Sequence, residues 1–178
     1  MTYKDELTKA MELLAKDERV IFIGQQIIYP GSIMYSTLQG IPSSKKIELP
    51  LIEDAQMGMS IGLSLEGHIP VSIYPRMDFL IIATNQLANH LDKIEEMSCG
   101  RFKPKVIIRT AIGSTKPLYP GIQHCSDYTD ALKHMLKNVE VIKLTTSKDI
   151  VPSYEYALER KDERSTLLIE VADLYSTS

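Results

Sequence analysis

The sequence predicts an α/β fold: a single doubly wound domain with a mostly parallel sheet and helices on both faces. Short apolar runs alternate with stretches of helical periodicity along the chain. One run, at 106–109, is largely apolar, which is typical of a strand buried on both faces of a parallel sheet. No internal repeat or linker interrupts the pattern, so we expect one domain to span residues 1–178.

The first half of the chain carries two helices and the strands that precede and follow them. Apolar residues at helical intervals predict a helix over 2–16, and a second helix is expected over 53–66 after Pro50. The predicted strands cover 20–23, 46–49 and 69–74. Residues 25–44 form a long connection with two glycines and two prolines, and connections of this length are usually functional or mobile.

The second half continues the alternation and contains the other long loop. We expect helices over 79–97, 128–136 and 150–159, and strands over 106–109, 139–144 and 166–171. The longest of these helices has an apolar side formed by Leu80, Ala83, Leu87 and Leu91. Residues 111–127 form the second long loop. Ligands of parallel sheets bind beyond the carboxyl ends of the strands, and both long loops follow strand ends.

Composition and charge exclude several classes of function. The 178 residues are 44% hydrophobic and carry a net charge of −3, whereas nucleic-acid binding needs clustered Lys and Arg in excess. No apolar run approaches the ~20 residues that span a membrane, and the N-terminal residues do not resemble a secretory signal. Cys99 and Cys125 have no metal-ligand spacing, so free thiols are expected. These features predict a cytoplasmic protein that binds neither nucleic acid nor membrane.

Residues 47–62 carry the first candidate for chemistry. Glu53 follows a predicted strand end and opens a helix lined by small residues, which let a backbone or a flat ring approach closely. A carboxylate at a helix N-terminus also gains about 0.3–1 kcal/mol from the helix dipole. A water-exposed helix cap is therefore the structural alternative to a functional role.

Four short motifs, in their order and spacing, connect residues 4–175 with a known family. They are Pro50-Leu51-Ile52-Glu53, Asn85-Gln86-Leu87-Ala88-Asn89, Met97-Ser98-Cys99-Gly100 and Gln123-His124-Cys125. With them the chain resembles the pyrimidine-binding, transketolase-like domain of the thiamine-diphosphate enzymes. It is most similar to the N-terminal half of the β subunit of the 2-oxo acid dehydrogenase component, the pyruvate dehydrogenase type.

The resemblance implies roles for four side chains. Glu53 would bind a ring nitrogen of the cofactor's aminopyrimidine and favour the tautomer that takes the proton from the thiazolium carbon. Phe79 would stack on that ring, and Met77, which replaces a family aromatic, would pack against it through its sulfur. His124 would lie at the reactive end of the cofactor. For Phe79 the alternative is a core residue, and for His124 a solvated loop histidine.

The sequence departs from the family pattern at two places. Gln25 and Gln26 stand where the family has two carboxylates, and Cys125 replaces a serine. These changes are consistent with an altered substrate or a weakened activity. The remaining histidines are interpreted as structural.

The resemblance also implies a partner chain, because the family's metal-binding G-D-G motif does not occur in this sequence. The diphosphate and its Mg²⁺ would then be held by an α-type subunit, with no metal on this chain, and this chain would form a homodimer within a heterotetramer. The substrate would be a 2-oxo acid that is decarboxylated, or a ketose that donates a two-carbon unit. One rival is a non-catalytic binding or regulatory subunit that retains the fold. A flavodoxin-like binding domain is the other, although no phosphate-binding loop follows the first strand.

Overall fold

A computed structural model describes residues 1–116 and 119–176, so part of the second long loop, at 117–118, lies outside the described residues. Six strands form one parallel sheet in the order β2-β1-β3-β4-β6-β5. The strands are β1 (Val20–Gly24), β2 (Lys46–Glu48), β3 (Ile69–Tyr74), β4 (Ile107–Ile112), β5 (Glu140–Leu144) and β6 (Thr166–Val171). The helices are α1 (Tyr3–Leu14), α2 (Glu53–Leu65), α3 (Met77–Leu80), α4 (Ile94–Met97), α5 (Thr129–Met135) and α6 (Ser147–Glu159).

Each face of the sheet is covered by its own helices and its own apolar core. On one face α1 packs against α6, over a core that includes Phe22 of β1. On the other face lie α2, α3 and α5, with Ile61 and Leu132 in a second core. Within β4, Ile107 belongs to the first core and Ile108 to the second, as the alternation of side chains along a strand requires. The predicted doubly wound α/β fold is confirmed.

The helix predicted over 79–97 is not continuous, and this prediction was wrong in its regularity. The segment consists of α3, a tight 3₁₀ turn at Ile81–Ala83, a π-helical stretch at Gln86–Leu91 and α4. The π stretch places an extra residue in the turn, so that the Asp92 N–H donates to the Leu87 carbonyl five residues earlier. This insertion buries Leu91 and Asp92 side by side.

Hydrogen bonds to Asp92 stabilise the irregular segment. Its Oδ1 accepts the backbone N–H groups of Lys137, Asn138 and Val139 at 2.7–3.0 Å. The carboxylate thereby fixes the turn that leads into β5. The four inner residues predicted for this segment are all buried.

The order of the strands places a crevice between β1 and β3. From β1 the chain moves outward to β2 and then returns to the other side of β1, so the direction of winding reverses at this point. Such reversals open a crevice at the carboxyl ends of the two central strands. Gly24 closes β1 there against β3, where an added Cβ would lie 2.5 Å from the Ile73 carbonyl oxygen. Only glycine permits this approach.

Candidate functional site

A cleft of about 280 Å³ lies at the carboxyl ends of the central strands. Residues that follow four different strands line it: Gln26, Gly31, Ser32 and Ile33 after β1; Pro75, Arg76 and Phe79 after β3; Gly113 and Ser114 after β4; and Ala172 after β6. The lining is therefore built by loops that the sheet brings together, as expected for a ligand site in a parallel α/β protein.

The loop after β1 is held in place by a carboxylate from the neighbouring strand. Glu48, at the end of β2, accepts the backbone N–H groups of Gln26, Ile27 and Ile28 at 2.6, 2.9 and 2.7 Å. Gln26 adopts a left-handed conformation with φ of 54°, which turns these N–H groups toward one point. One wall of the cleft is thereby fixed.

Glu53 is the first residue of α2 and its side chain is buried, with only 8% of the residue exposed. Within the described part of the chain its carboxylate forms no hydrogen bond or ion pair. Its backbone carbonyl accepts the Tyr74 hydroxyl at 3.3 Å, and burial raises the pKa of that phenol. The carboxylate oxygens of Glu53 are not among the fully buried atoms that lack a partner in the described residues, so they reach the surface and the helix-cap alternative stays open.

The helix that carries Glu53 is bound to β3 by a buried polar cluster. One turn after Glu53, Gln56 Nε2 donates to Ser72 Oγ at 3.2 Å and to the Ile73 carbonyl at 2.9 Å. Ser60 Oγ donates to the Gln56 carbonyl at 2.8 Å. The small side chains of Ser60 and Ser72 contact each other at 3.0 Å and allow the helix to lie against the strand, so the start of α2 is fixed relative to the sheet.

Phe79 and His124, two of the candidate residues from the sequence, lie in contact. Their ring centroids are 5.7 Å apart with an interplanar angle of 61°, an edge-on arrangement. Phe79 lines the cleft, and Nδ1 of His124 is buried without a hydrogen-bond partner in the regions that the structure describes. A ring nitrogen in this condition can bind a polar group of a ligand.

Arg76 organises the loop that carries His124. Its Nη1 donates to the Gly113 carbonyl at 2.6 Å and to the His124 carbonyl at 2.9 Å. One guanidinium nitrogen thus joins the end of β3 to both parts of the second long loop. The motif comparison did not single out this arginine; the available signal was a cation directly after a buried strand and a proline.

Met77 and Glu53 do not share the contact between Phe79 and His124. Met77 is fully buried in the core, and its sulfur accepts the Tyr128 N–H at 2.9 Å. No hydrogen bond or ring contact among the described residues joins Glu53 to Phe79 or His124. The roles proposed for all four side chains remain predictions.

The two departures from the family pattern have different surroundings. Gln25 is buried, and its Nε2 has no hydrogen-bond partner within the described ranges. Gln26 lies on the cleft wall, where its side chain packs against Gly31. Cys125 directs its thiol toward the Ser114 carbonyl, 3.6 Å away. These positions supply amides and a thiol in place of the family's acids and hydroxyl.

A larger cavity, of about 530 Å³, lies at the opposite end of the strands, near Arg19, Ile69 and Lys105. Five Lys and Arg and three acids line it; Arg19 pairs with Asp17 at 2.6 Å, and Lys105 Nζ donates to the Leu158 and Arg160 carbonyls at 2.6 and 2.9 Å. The cavity faces the amino ends of the strands, where parallel sheets do not usually place their ligands. The smaller cleft is therefore the better candidate.

The described residues contain neither a cluster of metal ligands nor a membrane-spanning helix. No group of three or more His, Cys, Asp and Glu side chains there could hold a metal ion. None of the helices in the same ranges is long and apolar enough to cross a membrane.

Several dehydrogenase subunits are similar to this chain, although no family model matches it. The β subunit of the mitochondrial pyruvate dehydrogenase E1 component of Ascaris suum is 28% identical over 140 residues, which cover 75% of this chain and 38% of the relative. The corresponding Caenorhabditis elegans subunit is 24% identical over 184 residues, which cover 100% of this chain and 50% of the relative. The β subunit of 3-methyl-2-oxobutanoate dehydrogenase of Mycobacterium tuberculosis is 26% identical over 84% of this chain and 43% of the relative.

The fold is also found among solved structures. A chain of a split-gene transketolase, described as an inactive β4 tetramer, superposes with a TM-score of 0.70 at 16% identity and covers 96% of this chain and 51% of its own. This chain therefore spans about half the length of these relatives. The resemblance to the transketolase-like pyrimidine-binding domain, and to the pyruvate dehydrogenase β subunit, is confirmed.

Proposed function

We propose that this chain is the pyrimidine-binding subunit of a split thiamine-diphosphate enzyme. The substrate is a 2-oxo acid that is decarboxylated, or a ketose that gives up a two-carbon unit. The named relatives include both dehydrogenase β subunits and a split transketolase, so the comparisons support either reaction class.

The unpartnered carboxylate of Glu53, in a residue that is only 8% exposed, carries this proposal. An acid without a protein donor fits a group that supplies its own donor, and the aminopyrimidine of thiamine diphosphate has a ring nitrogen that can share a proton with it. When bound, the cofactor supplies a carbanion that attacks carbonyl carbon. Glu53 would hold the shared proton at the ring nitrogen, at the start of a helix fixed by Gln56.

Phe79 and His124 fit the remaining parts of such a site. The face of Phe79 offers a stacking surface for a flat ring, worth about 0.5–1.5 kcal/mol beyond burial. The unpartnered Nδ1 of His124 can bind a carbonyl or carboxylate of the substrate. Their edge-on contact would keep the two groups adjacent when a ligand enters.

The rest of the cofactor would be bound by a second polypeptide. We assign the diphosphate and Mg²⁺ to an α-type partner, because the relatives named above are β subunits and this chain lacks the G-D-G motif. Two copies of this chain would meet in a homodimer within that complex. A tetrameric structural relative is consistent with self-association.

One observation favours a second candidate function. The buried Gln25 amide has an Nε2 without a partner, at a place where the family motif has an acid. A subunit that retains the fold but binds or regulates without catalysis would tolerate such a change. The experiment on Glu53 separates the two candidates.

Replacing Glu53 with Gln tests the catalytic assignment. Glu53→Gln keeps the shape but removes the proton site, so turnover of the complex reconstituted with its partner and cofactor should fall by at least ~10²–10⁴-fold. Stability should change by only about 0.3–1 kcal/mol, the size of the helix-dipole effect. Asp54→Asn is the matched control, since Asp54 is the other acid in the first turn of α2.

The two candidates predict opposite results for this pair of variants. A Glu53→Gln complex that turns over at close to the wild-type rate would end the catalytic assignment. Equal, small effects of both variants would leave only the helix-cap role. A wild-type complex that binds thiamine diphosphate but converts neither substrate class would favour the regulatory candidate.

A further inference from the structure

Arg76 is the charged member of the cleft lining, since the other described lining residues are neutral. Two acids in the neighbouring segments are already used by the backbone. Asp173 accepts the N–H groups of Thr115 and Lys116 at 2.6 and 3.2 Å, and Asp78 accepts the Ser126 N–H at 3.4 Å. The charge of Arg76 is therefore not balanced by an ion pair within the described residues.

The guanidinium of Arg76 is held by one nitrogen only. Nη1 donates to the carbonyls of Gly113 and His124, whereas Nε and Nη2 take no partner in the part of the chain that the structure describes. Nε and Nη2 carry N–H groups that point the same way in a fixed fork, which matches the two oxygens of a carboxylate or phosphate. Two carbonyl contacts restrict the side chain before any ligand arrives.

We propose that Arg76 binds the anionic group of the substrate in this cleft, as a specificity-determining residue. The inference rests on the proposed function, since it names what that site recognises. The hydroxyl of Ser114 and the amide of Gln26 add neutral donors on the same lining, whereas the Ser32 hydroxyl donates to the Gln26 carbonyl at 3.3 Å. Phe79 also lines the cleft and contacts His124, so an anion on Arg76 would lie beside the residues assigned to the reaction.

Two kinds of substrate would bring an anion that Arg76 could bind in the same way. A 2-oxo acid brings a carboxylate, and a phosphorylated ketose brings a phosphate. Both accept two parallel hydrogen bonds from an arginine. Pyruvate and inorganic phosphate are therefore the two probes.

Nuclear magnetic resonance of the full chain, without cofactor or partner, tests the proposal. The Nε–H signal of Arg76 is followed while pyruvate or inorganic phosphate is added. We expect one of the anions to shift this signal saturably and at lower concentration than the signals of other arginines. The anion that binds more tightly indicates the substrate class.

Two pairs of variants separate recognition from non-specific charge. In the variants, binding is followed through the backbone amide signals of Gly113 and Ser114 in the cleft lining. Arg76→Met should weaken binding by about tenfold or more, because charge-assisted hydrogen bonds are lost. Arg101→Met removes the same charge from an exposed arginine that also donates to a single backbone carbonyl, and should leave binding unchanged.

The second pair leaves the contacts of Arg76 in place. Ser32 Oγ accepts the Tyr35 N–H at 3.2 Å and donates to the Gln26 carbonyl at 3.3 Å. The side chains of Asp and Asn can both keep the first of these contacts. Ser32→Asp brings a carboxylate to the cleft and should weaken anion binding by about threefold or more, whereas neutral Ser32→Asn should not. This pair decides the question even if Arg76→Met disturbs the loop.

Three results would overturn the proposal: no saturable shift with either anion, shifts spread equally over surface cations, or equal affinities for Ser32→Asp and Ser32→Asn. None of these measurements involves turnover or thiamine diphosphate. Arg76 can therefore fail as an anion site while Glu53 remains catalytic, and the anion site can stand if the Glu53 assignment fails.

Discussion

Arg109 and Glu170 form an ion pair whose side chains are both fully buried between β4 and β6, with Nε 2.6 Å from Oε1. Tyr154 donates to the same oxygen at 2.5 Å, and Tyr175 donates to the other. Burial, and then the charge of Glu170, raise the pKa of both phenols well above the usual value. Glu170 thus accepts four hydrogen bonds from three side chains, while Nη1 of Arg109 has no acceptor among the described residues.

Removing one partner of this pair should destabilise the protein strongly. Glu170→Gln leaves the guanidinium buried without a counter-charge, so we expect a loss of about 3–5 kcal/mol in the free energy of unfolding, measured with urea. The double variant Arg109→Met/Glu170→Gln should recover part of this loss. Arg19→Met, which breaks an exposed pair with Asp17, should cost less than about 1 kcal/mol. Similar losses for the buried and the exposed variants would contradict this account.

Motif spacing singled out individual residues but did not predict the contacts that these residues form. The order of motifs pointed to Phe79 and His124, which are in contact. It could not reveal that the sulfur of Met77 is used by the Tyr128 N–H, because that contact joins residues distant in sequence. Arg76 escaped notice for the same reason, since its importance depends on two carbonyls in another loop.

The irregular segment between β3 and β4 shows how a single carboxylate shapes an element. Asp92 sits directly after the π-helical stretch and holds three backbone N–H groups at the start of β5. A regular helix with the inner residues Leu87 and Leu91 would carry Asp92 one position around, away from this inner face. The segment therefore gives up regular hydrogen bonding, and the buried polar contacts offset that loss.

Truncation of Asp92 should destabilise the protein measurably. Asp92→Ala leaves three N–H groups without their acceptor, including the buried one of Val139, so we expect a loss of about 1–3 kcal/mol in urea unfolding. Glu155→Ala, on the exposed side of α6, is the control and should stay within about 0.5 kcal/mol. Protection of the Lys137, Asn138 and Val139 amides from hydrogen exchange should fall in the first variant only. Unchanged protection would mean that the turn is held by other contacts.

Elements were predicted well wherever one pattern dominated. The runs at 69–74 and 166–171 match β3 and β6 at both ends, because each is buried over nearly its whole length. The strand at 106–109 was predicted too short, since Thr110 is a buried polar residue that the apolar pattern does not include. Helical periodicity over 79–97 concealed the π stretch, because the inner positions keep nearly helical spacing.

At the scale of the whole molecule, apolar side chains remain exposed near the start of α2 and the turn after α3. They are Leu51, Ile52, Met59, Ile81 and Ile82, which are 40–76% exposed. Residues of α2 pack against that 3₁₀ turn, so these side chains belong to neighbouring elements. An apolar surface of this kind marks an interaction site.

We expect this surface to mediate self-association of the chain. Sedimentation of the purified chain should show a dimer, and isologous dimers are the commonest closed assembly. Ile82→Asp places a charge in the surface and should weaken dimerisation by about tenfold or more. Phe102→Asp, which changes an exposed aromatic near the other edge of the sheet, should not. A wild-type monomer over a wide concentration range would refute the expectation.

The long-range contacts of α1 determine when this helix can pack during synthesis of the chain. The hydroxyl of Tyr3 donates to the Leu144 carbonyl and accepts the Val171 N–H, and α1 packs along α6. On the ribosome, Leu144 is made 141 residues after Tyr3, and Val171 is made later still. The apolar side of α1 therefore stays exposed until α6 and β6 have emerged from the ribosome. During that time a chaperone can bind to it.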